Sequence, residues 1–396
     1  MIEKILAYIL ACCNNSEFEQ TTVALISENL KISRSQVSVV LNKLVKENKL
    51  IRIESKPFCF ISVEYLKEKG IPFKNSLYAS IDDLLSNQEK KDFEKLVGMN
   101  HSLAQTVKQC KATISYPPNG LPMLLYGPTG TGKSLIAKLT YEWARNQGVI
   151  SKNGQFVQVN CSEYANNPEL LTANLFGHVK GAFTGAEKDN EGLIALADNG
   201  VLFLDEVHEL KAECQEKLFL FMDQGIYHRV GDNEKWYKSN VRIVFATTEN
   251  PDKVLLKTLM RRIPMTITIP SLEQRGTQER IELLHDIFSQ EEKRLDCQIK
   301  ISSKVYNALL QSKMPGNIGQ LKSSVQSCCI NSLFDKVNDE LVIHLDSLPK
   351  DLLQQVYANQ KTVLDDDEYI CVEDLQGYYN ESITGKGINK RNSSIK

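Results

Sequence analysis

No run of this chain approaches the roughly 20 consecutive apolar residues that a membrane-spanning helix needs, so no such helix is expected. Neither sign of charge dominates. The 47 Lys and Arg residues face 49 Asp and Glu residues, for a net charge of -2. That balance excludes a generally basic nucleic-acid coat and confines any DNA contact to a local patch. Zinc-ligand spacing is missing, because the ten cysteines include no Cys-x-x-Cys pair. The adjacent pairs Cys12-Cys13 and Cys328-Cys329 suit neither a zinc knuckle nor a bond with each other, so reduced thiols are expected. The opening residues are not expected to act as a secretion signal. Lys4 precedes the short run Ile5 to Cys13 and is offset by Glu3. Ile9-Leu10-Ala11-Cys12 loosely resembles a lipoprotein cleavage box, yet Ile2, Ile5, Leu6 and Ile9 fall at helical spacing and predict a buried first helix. The expected location is cytoplasmic, with no membrane partner.

What is present fits a globular chain. Its 396 residues are 42% hydrophobic, enough for about two or three domains. Residues 1–65 read as three helices and a hairpin. The first helix runs from Ile2 to about Cys12. The second runs from about Thr22 to Leu30, with Val23, Ile26 and Leu30 on one side. Ser33 with Gln36 is a capping-box signature for a third, whose apolar face is Val37, Val40, Leu41 and Leu44. Leu50 to Ile53 and Phe58 to Val63 alternate like strands. This order resembles a winged helix-turn-helix, in which the helix from Arg34 enters the major groove. The candidate DNA contacts are Arg34, Ser35, Ser38, Asn42, Lys43, Arg52 and Lys56, within a locally basic stretch. A winged-helix protein-docking module with a solvated basic face is the alternative. Residues 66–96, charged at Asp82-Asp83 and Glu89-Lys90-Lys91-Asp92, read as a linker with some helix.

Met123 to Tyr126 is a buried-type strand that runs into Gly127-Pro128-Thr129-Gly130-Thr131-Gly132-Lys133-Ser134 and then a helical stretch. Glycines at this junction free backbone N–H groups to wrap phosphates at a helix N-terminus. Lys133 would reach the β- and γ-phosphates of ATP, and Ser134 would hold Mg²⁺. Val201 to Leu204 is a second buried strand, ending in Asp205-Glu206. Asp205 would bind Mg²⁺, and Glu206 would orient and deprotonate the attacking water. Asn240 to Thr248 is a third strand, and Met265 to Ile269 a further strand-like run. Past Pro270 only helices are read, about Thr277 to Leu295, Lys304 to Gln311 and Asn317 to Phe334. Strands alternating with helices, then helices alone, predict a parallel α/β sheet with a helical lid.

Between the phosphate loop and Asp205 lies Gly181-Ala182-Phe183-Thr184-Gly185-Ala186. Small hinges bracket one bare phenylalanine and one hydroxyl. The hexapeptide reads as a loop that an ATP machine pushes into a partner, or as a tight hairpin whose Phe183 folds back on its own domain. His178 and His208 read as packing or polar surface residues, with no partner at metal-ligand spacing.

Together these segments, from about Leu96 to Leu345, resemble the AAA+ ATPase domain of bacterial enhancer-binding proteins, activators of sigma-54 RNA polymerase. The resemblance implies a sigma-54 contact at Gly181 to Ala186, through Phe183 and Thr184. It implies that Asn160 restrains the catalytic Glu206, that Arg229-Val230-Gly231 opens a second surface loop, and that Thr248 is a nucleotide sensor. It also implies that Arg261 or Arg262 acts on a neighbour's ATP in a homo-oligomeric ring, a hexamer. Tyr116-Pro117-Pro118-Asn119-Gly120-Leu121 and Gly316-Asn317-Ile318-Gly319-Gln320-Leu321 resemble one branch, the levanase-operon-type regulators of sugar phosphotransferase systems. Members of that branch continue into phosphotransferase-regulated domains with phosphorylatable histidines.

Four departures stand out. Gly319 occupies the place of a lid arginine, so that contact is missing or is replaced by Gln320 or Lys322. Thr248 stands where asparagine is common. Arg261 and Arg262 are adjacent rather than a turn or two apart. No histidine follows His344, so no phosphohistidine control is expected in the chain as given, which reads as a fragment, a truncation or a short form. The expected domains are 1–65, a winged helix; 66–96, a linker; 97–270, an AAA+ α/β subdomain; 271–345, a helical lid; and 346–396, an acidic segment (Asp365-Asp366-Asp367-Glu368) with a disordered tail from Gly385. The expected function is ATP-driven opening of sigma-54 promoters from enhancer DNA, at a sugar phosphotransferase operon. The rivals are a nucleotide-gated DNA-binding regulator without remodelling and a general AAA+ remodeller.

Overall fold

A computed structural model of the chain describes residues 2–15, 17–54, 57–69, 92–337, 339–358 and 368–378, with 73, 77, 78, 81 and 84 between them. Two compact units result, Met1–Lys91 and Asp92–Lys396. Lys56, Asp82-Asp83, Glu89-Lys90-Lys91, Asp365 to Asp367 and the tail from Gly385 lie outside the described residues. Among the described residues, no helix is long and apolar enough to cross a membrane.

In the first unit, α1 (Ile2–Asn14) buries Ile5, Ile9, Cys12 and Cys13. Helix α2 (Val23–Leu30) opens on Thr22, whose side chain accepts from the Leu25 N–H. Helix α3 (Arg34–Lys46) opens on Ser33, which accepts the Gln36 N–H and donates to Gln36 Oε1 at 2.9 Å. Caps of this kind contribute about 1 kcal/mol each. Strands β1 (Leu50–Ile53) and β2 (Cys59–Ser62) pair antiparallel. Helix α4 (Val63–Glu68) follows, and β3 (Leu77–Tyr78) adds to β1 in parallel. Leu66 and Leu84 are fully buried in this core. The expected linker therefore belongs in part to the first unit, because its apolar residues finish that core. Its far end belongs to the second unit, where Phe93 and Leu96 are buried.

The second unit carries β4 (Met123–Tyr126), β5 (Phe156–Asn160), β6 (Val201–Asp205), a hairpin of β7 (Ile226–Tyr227) and β8 (Tyr237–Lys238), then β9 (Arg242–Thr247) and β10 (Met265–Thr268). Five of these form one sheet in the order β10-β4-β9-β6-β5, and every pairing is parallel. Helices α5 (Ala104–Ile114), α6 (Lys133–Asn146), α7 (Pro168–Phe176) and α8 (Ala212–Gln224) accompany it. Strand β9 is buried along its whole length, as a sheet covered on both faces requires. Two apolar clusters form around the sheet, one with Leu202, Leu204 and Phe245, the other with Leu125, Phe203 and Val244.

Beyond Pro270 the chain is not helical alone. Helix α9 (Thr277–Leu295), β11 (Gln298–Ser302), α10 (Ser303–Gln311), α11 (Asn317–Asn331), β12 (Glu340–Ile343), α12 (Lys350–Ala358) and β13 (Tyr369–Cys371) share one core. Strand β11 pairs parallel with β12 and antiparallel with β13. The lid thus reaches past residue 345. Leu352, Ile370, Val372 and Leu375 are buried in it, and Glu368 O accepts the Ser303 N–H at 2.8 Å. Short apolar runs such as Leu341 to Ile343 lack the period that tells strand from helix, which is why the sequence reading missed them.

Thr21 ties the first unit together. It is fully buried, donates to Phe18 O at 2.6 Å and accepts the Phe60 N–H at 3.1 Å. Thr21→Val keeps the shape and strands that buried N–H, a loss of about 1–3 kcal/mol. Urea denaturation of the full chain, followed by circular dichroism, should show an earlier first transition.

Candidate nucleotide site and surface loop

The phosphate loop begins where β4 ends. Gly130 and Gly132 take left-handed backbone at φ 74 and 98. Gly132 is the residue before α6, so successive N–H groups and a helix N-terminus converge on one hollow. Thr131 is buried, and its hydroxyl donates to Pro128 O at 2.9 Å. Lys133 is buried as well and donates through Nζ to Gly127 O at 2.9 Å and Pro128 O at 3.3 Å. Burial pushes its pKa down, while Glu206 and Asp205 push it back up. A phosphate entering here would replace weak carbonyl partners with a full charge.

Ser134 Oγ donates to Asp205 Oδ2 at 2.8 Å, joining α6 to the end of β6. A hydroxyl and a carboxylate side by side are hard oxygen donors of the kind that hold Mg²⁺ together with phosphate and water. Glu206 follows in left-handed backbone, at φ 50. Its Oε2 accepts from Thr248 Oγ1 at 3.0 Å and lies 3.4 Å from His208 Nδ1. His208 Nδ1 also meets Thr247 Oγ1 at 3.2 Å, and its Nε2 lies 3.6 Å from Glu209 Oε1. Glu206 is therefore held by the Thr248 hydroxyl, with the His208 ring beside it.

Asn160 does not hold it. Its Oδ1 accepts from Ser162 N at 3.2 Å and Ser162 Oγ at 2.9 Å, capping the short turn Cys161–Tyr164. The adjacent arginines also separate. Arg262 Nε meets both Asp223 carboxylate oxygens at 2.8 Å, and its Nη1 donates to Thr258 O at 2.9 Å. Arg261 is exposed and has no ion pair among the described residues. His208 is the site residue that sequence reading missed. Only its position two residues past Glu206 could have signalled it.

The hexapeptide is a closed loop. Gly181 N donates to Ala186 O at 2.8 Å, and Ala186 N to Phe183 O at 3.0 Å. Gly181 and Gly185 sit at φ 82 and 100 with open space where a Cβ would stand, so backbone angle alone calls for glycine. Phe183 is 38% exposed and leans edge-on against His178, with ring centroids 4.9 Å apart. Thr184 is exposed. The loop base is tied to the second surface loop: Val179 N donates to Val230 O at 3.1 Å, and Val230 N to Gly177 O at 2.9 Å.

In the first unit, Arg34, Ser35, Asn42 and Lys43 are exposed on α3, and Ser38 is half-buried. Arg52 is partly committed. It pairs with Glu54 at 2.9 Å and stacks 4.4 Å from the Phe58 ring centre. Glu47 draws Lys49 to 3.1 Å and Lys43 to 3.8 Å, which trims the free positive charge of this face.

Residues 96–267 match the Sigma-54 interaction domain family. The chain is similar to the transcriptional regulatory protein LevR of Bacillus subtilis (strain 168), with 42% identity over 350 residues, 85% of this chain and 37% of that regulator. It is also similar to the transcriptional regulatory protein DagR of Salmonella typhimurium (strain 14028s / SGSC 2262), with 38% identity over 317 residues, 78% of this chain and 34% of that one. The chain thus spans little more than a third of the length of these relatives. The crystal structure of NtrX from Brucella abortus in complex with ADP superposes at a TM-score of 0.53 and 25% identity, over 68% of this chain and 58% of that one. Its complex with ATP superposes at 0.55 and 22% identity, over 76% and 69%, a likeness of fold.

The contacts of Phe183 generate one expectation. A ring left 38% exposed on a surface loop, outside the apolar cores, contributes little to folding, so Phe183→Ala should change stability by less than about 1 kcal/mol. A thermal melt of the full chain checks this.

Proposed function

The chain belongs to the Sigma-54 interaction domain family of AAA+ regulators, of the LevR type, and from that premise we propose that it binds enhancer DNA, hydrolyses ATP in a ring of its own copies and drives the Phe183 loop into sigma-54 RNA polymerase. The observation that carries this reading is the half-exposed Phe183, on a glycine-hinged loop in the same compact unit as a formed phosphate loop. The residues divide the work as follows. The N–H groups of Thr129 to Ser134 and Lys133 Nζ bind the phosphates. Ser134 and Asp205 hold Mg²⁺, which when bound offsets charge on the phosphate oxygens. Glu206, once released from Thr248, orients the attacking water and takes its proton.

Arg261 suits the trans-acting role better than Arg262, because Asp223 already neutralises Arg262. A trans arginine can raise the rate by about three to five powers of ten, which makes turnover depend on ring assembly. Val230 bridges the two surface loops, so a shift of one loop base moves the other. Exposed Arg34, Ser35, Asn42 and Lys43 support a DNA-facing α3. Likeness to the transcriptional regulatory proteins LevR and DagR supports a role in transcription, and the resemblance to levanase-operon-type regulators points to a sugar operon.

The test measures ATP turnover and open-complex formation with sigma-54 polymerase. Glu206→Gln should lower turnover by about a hundredfold or more while nucleotide still binds. Thr184→Ala should keep turnover and abolish opening. Wild type that hydrolyses ATP and never opens a promoter defeats the activator reading and leaves the nucleotide-gated DNA-binding regulator and the general remodeller. Separately, Arg34→Ala should weaken enhancer binding and reduce its salt dependence by about one phosphate contact, read by fluorescence anisotropy across a salt series.

A further inference from the structure

Three consecutive carbonyls of the phosphate loop point into the lid, and each accepts one lid donor. Thr129 O accepts from Asn317 Nδ2 at 2.8 Å. Gly130 O accepts from Gly319 N at 3.2 Å. Thr131 O accepts from Arg275 Nη2 at 2.7 Å.

The two side-chain donors are locked. Asn317 is 4% exposed and stands at φ 54, at the head of α11. A non-glycine residue in that region persists only where its surroundings over-determine it, and asparagine tolerates it best. Its Oδ1 accepts from Leu272 N at 2.8 Å, and its Nδ2 also reaches Pro315 O at 3.3 Å. Arg275 is buried; its Nε donates to Pro270 O at 3.3 Å, and its Nη1 lies 3.5 Å from Glu279. Glu279 is fixed in turn by Ser102 Oγ at 2.9 Å. On the loop side, Gly130 cannot carry a side chain, because its φ is 74 and a Cβ would collide with Gly316 O.

The peptide unit is planar and rigid. The carbonyls of Thr129, Gly130 and Thr131 therefore share planes with the N–H groups of Gly130, Thr131 and Gly132. Those are the N–H groups that line the phosphate hollow. A plane that rotates to grip a phosphate must swing its carbonyl against the lid donor bonded to it.

We propose that in this chain the lid senses nucleotide through the phosphate-loop peptide planes, with Asn317, Arg275 and the Gly319 N–H as positioning groups in place of a side chain reaching the phosphate from position 319. This inference rests on the nucleotide-binding reading of the same loop.

The test is hydrogen exchange on the full chain with and without ADP, read at the α11 amides, beside equilibrium ADP binding. In wild type, bound ADP should slow α11 exchange. Asn317→Asp is isosteric and keeps the acceptor for Leu272 N, but it turns the donor to Thr129 O into a repelling oxygen. Asn317→Gly keeps the left-handed backbone and serves if the aspartate variant does not fold. In either variant the ADP effect on α11 should shrink and ADP affinity should weaken by the same factor, about 5- to 20-fold, because coupling between two equilibria is reciprocal. A merely structural asparagine has no reason to obey that equality. Wild-type α11 exchange indifferent to saturating ADP, or variants that respond as wild type does, overturns the proposal. Wild type that fails to bind ADP overturns the underlying nucleotide reading instead.

Discussion

Every candidate group of the nucleotide site depends on one constraint: the five strands of the central sheet all run the same way. Parallel strands deliver their carboxyl ends to a single edge. Gly127, Asn160, Asp205 and Thr248 stand at or just past the ends of β4, β5, β6 and β9. Register sets their depth, with Asn160 opposite Asp205 and Tyr126 opposite Thr247. Buried apolar side chains on both faces hold that register, since a slip of one residue would turn Leu202 and Phe203 over. The 2.8 Å bond between Ser134 and Asp205 is then a consequence of strand order, because β4 and β6 both flank β9.

Left-handed backbone is the second thread. It occurs at Gly130 and Gly132 in the phosphate loop, at Glu206 after β6, at Gly181 and Gly185 in the surface loop, and at Asn317 in the lid. At the glycines it costs little. At Glu206 and Asn317 it stores strain of about 1–3 kcal/mol each, offset by the packing around them. Both of those residues use their side chains, Glu206 toward Thr248 and Asn317 toward Thr129, so glycine could not replace them without losing the contact.

Much of this was legible in the chain. The capping pair Ser33 and Gln36, the buried run before Gly127 and the run before Asp205 are local signals, and local bonds enforce them. The lid strands were not legible. Runs of three or four apolar residues acquire strand character only through partners, and β13 finds its partner some 70 residues back in the chain. The partner of Glu206 was not legible either, for a related reason. Asn160 and Thr248 both end strands beside it, and a bond to Ser162 two residues along captures the Asn160 amide. Nor could spacing separate Arg261 from Arg262, since only the approach of Asp223 commits one of them.

Local sequence is enough to say which residues lie at strand ends, which loop can wrap a phosphate and which loop can bend around Phe183. Those properties follow from neighbours within a few positions, through glycine's freedom, helix capping and apolar runs. Tertiary structure alone decided who touches whom across the site: Thr248 with Glu206, Arg262 with Asp223, and the lid's Asn317, Gly319 and Arg275 with three successive carbonyls. These contacts join residues about 40 to 190 positions apart. They depend on strand order and on how two packed cores meet, and such long-range geometry leaves no periodic trace in the chain.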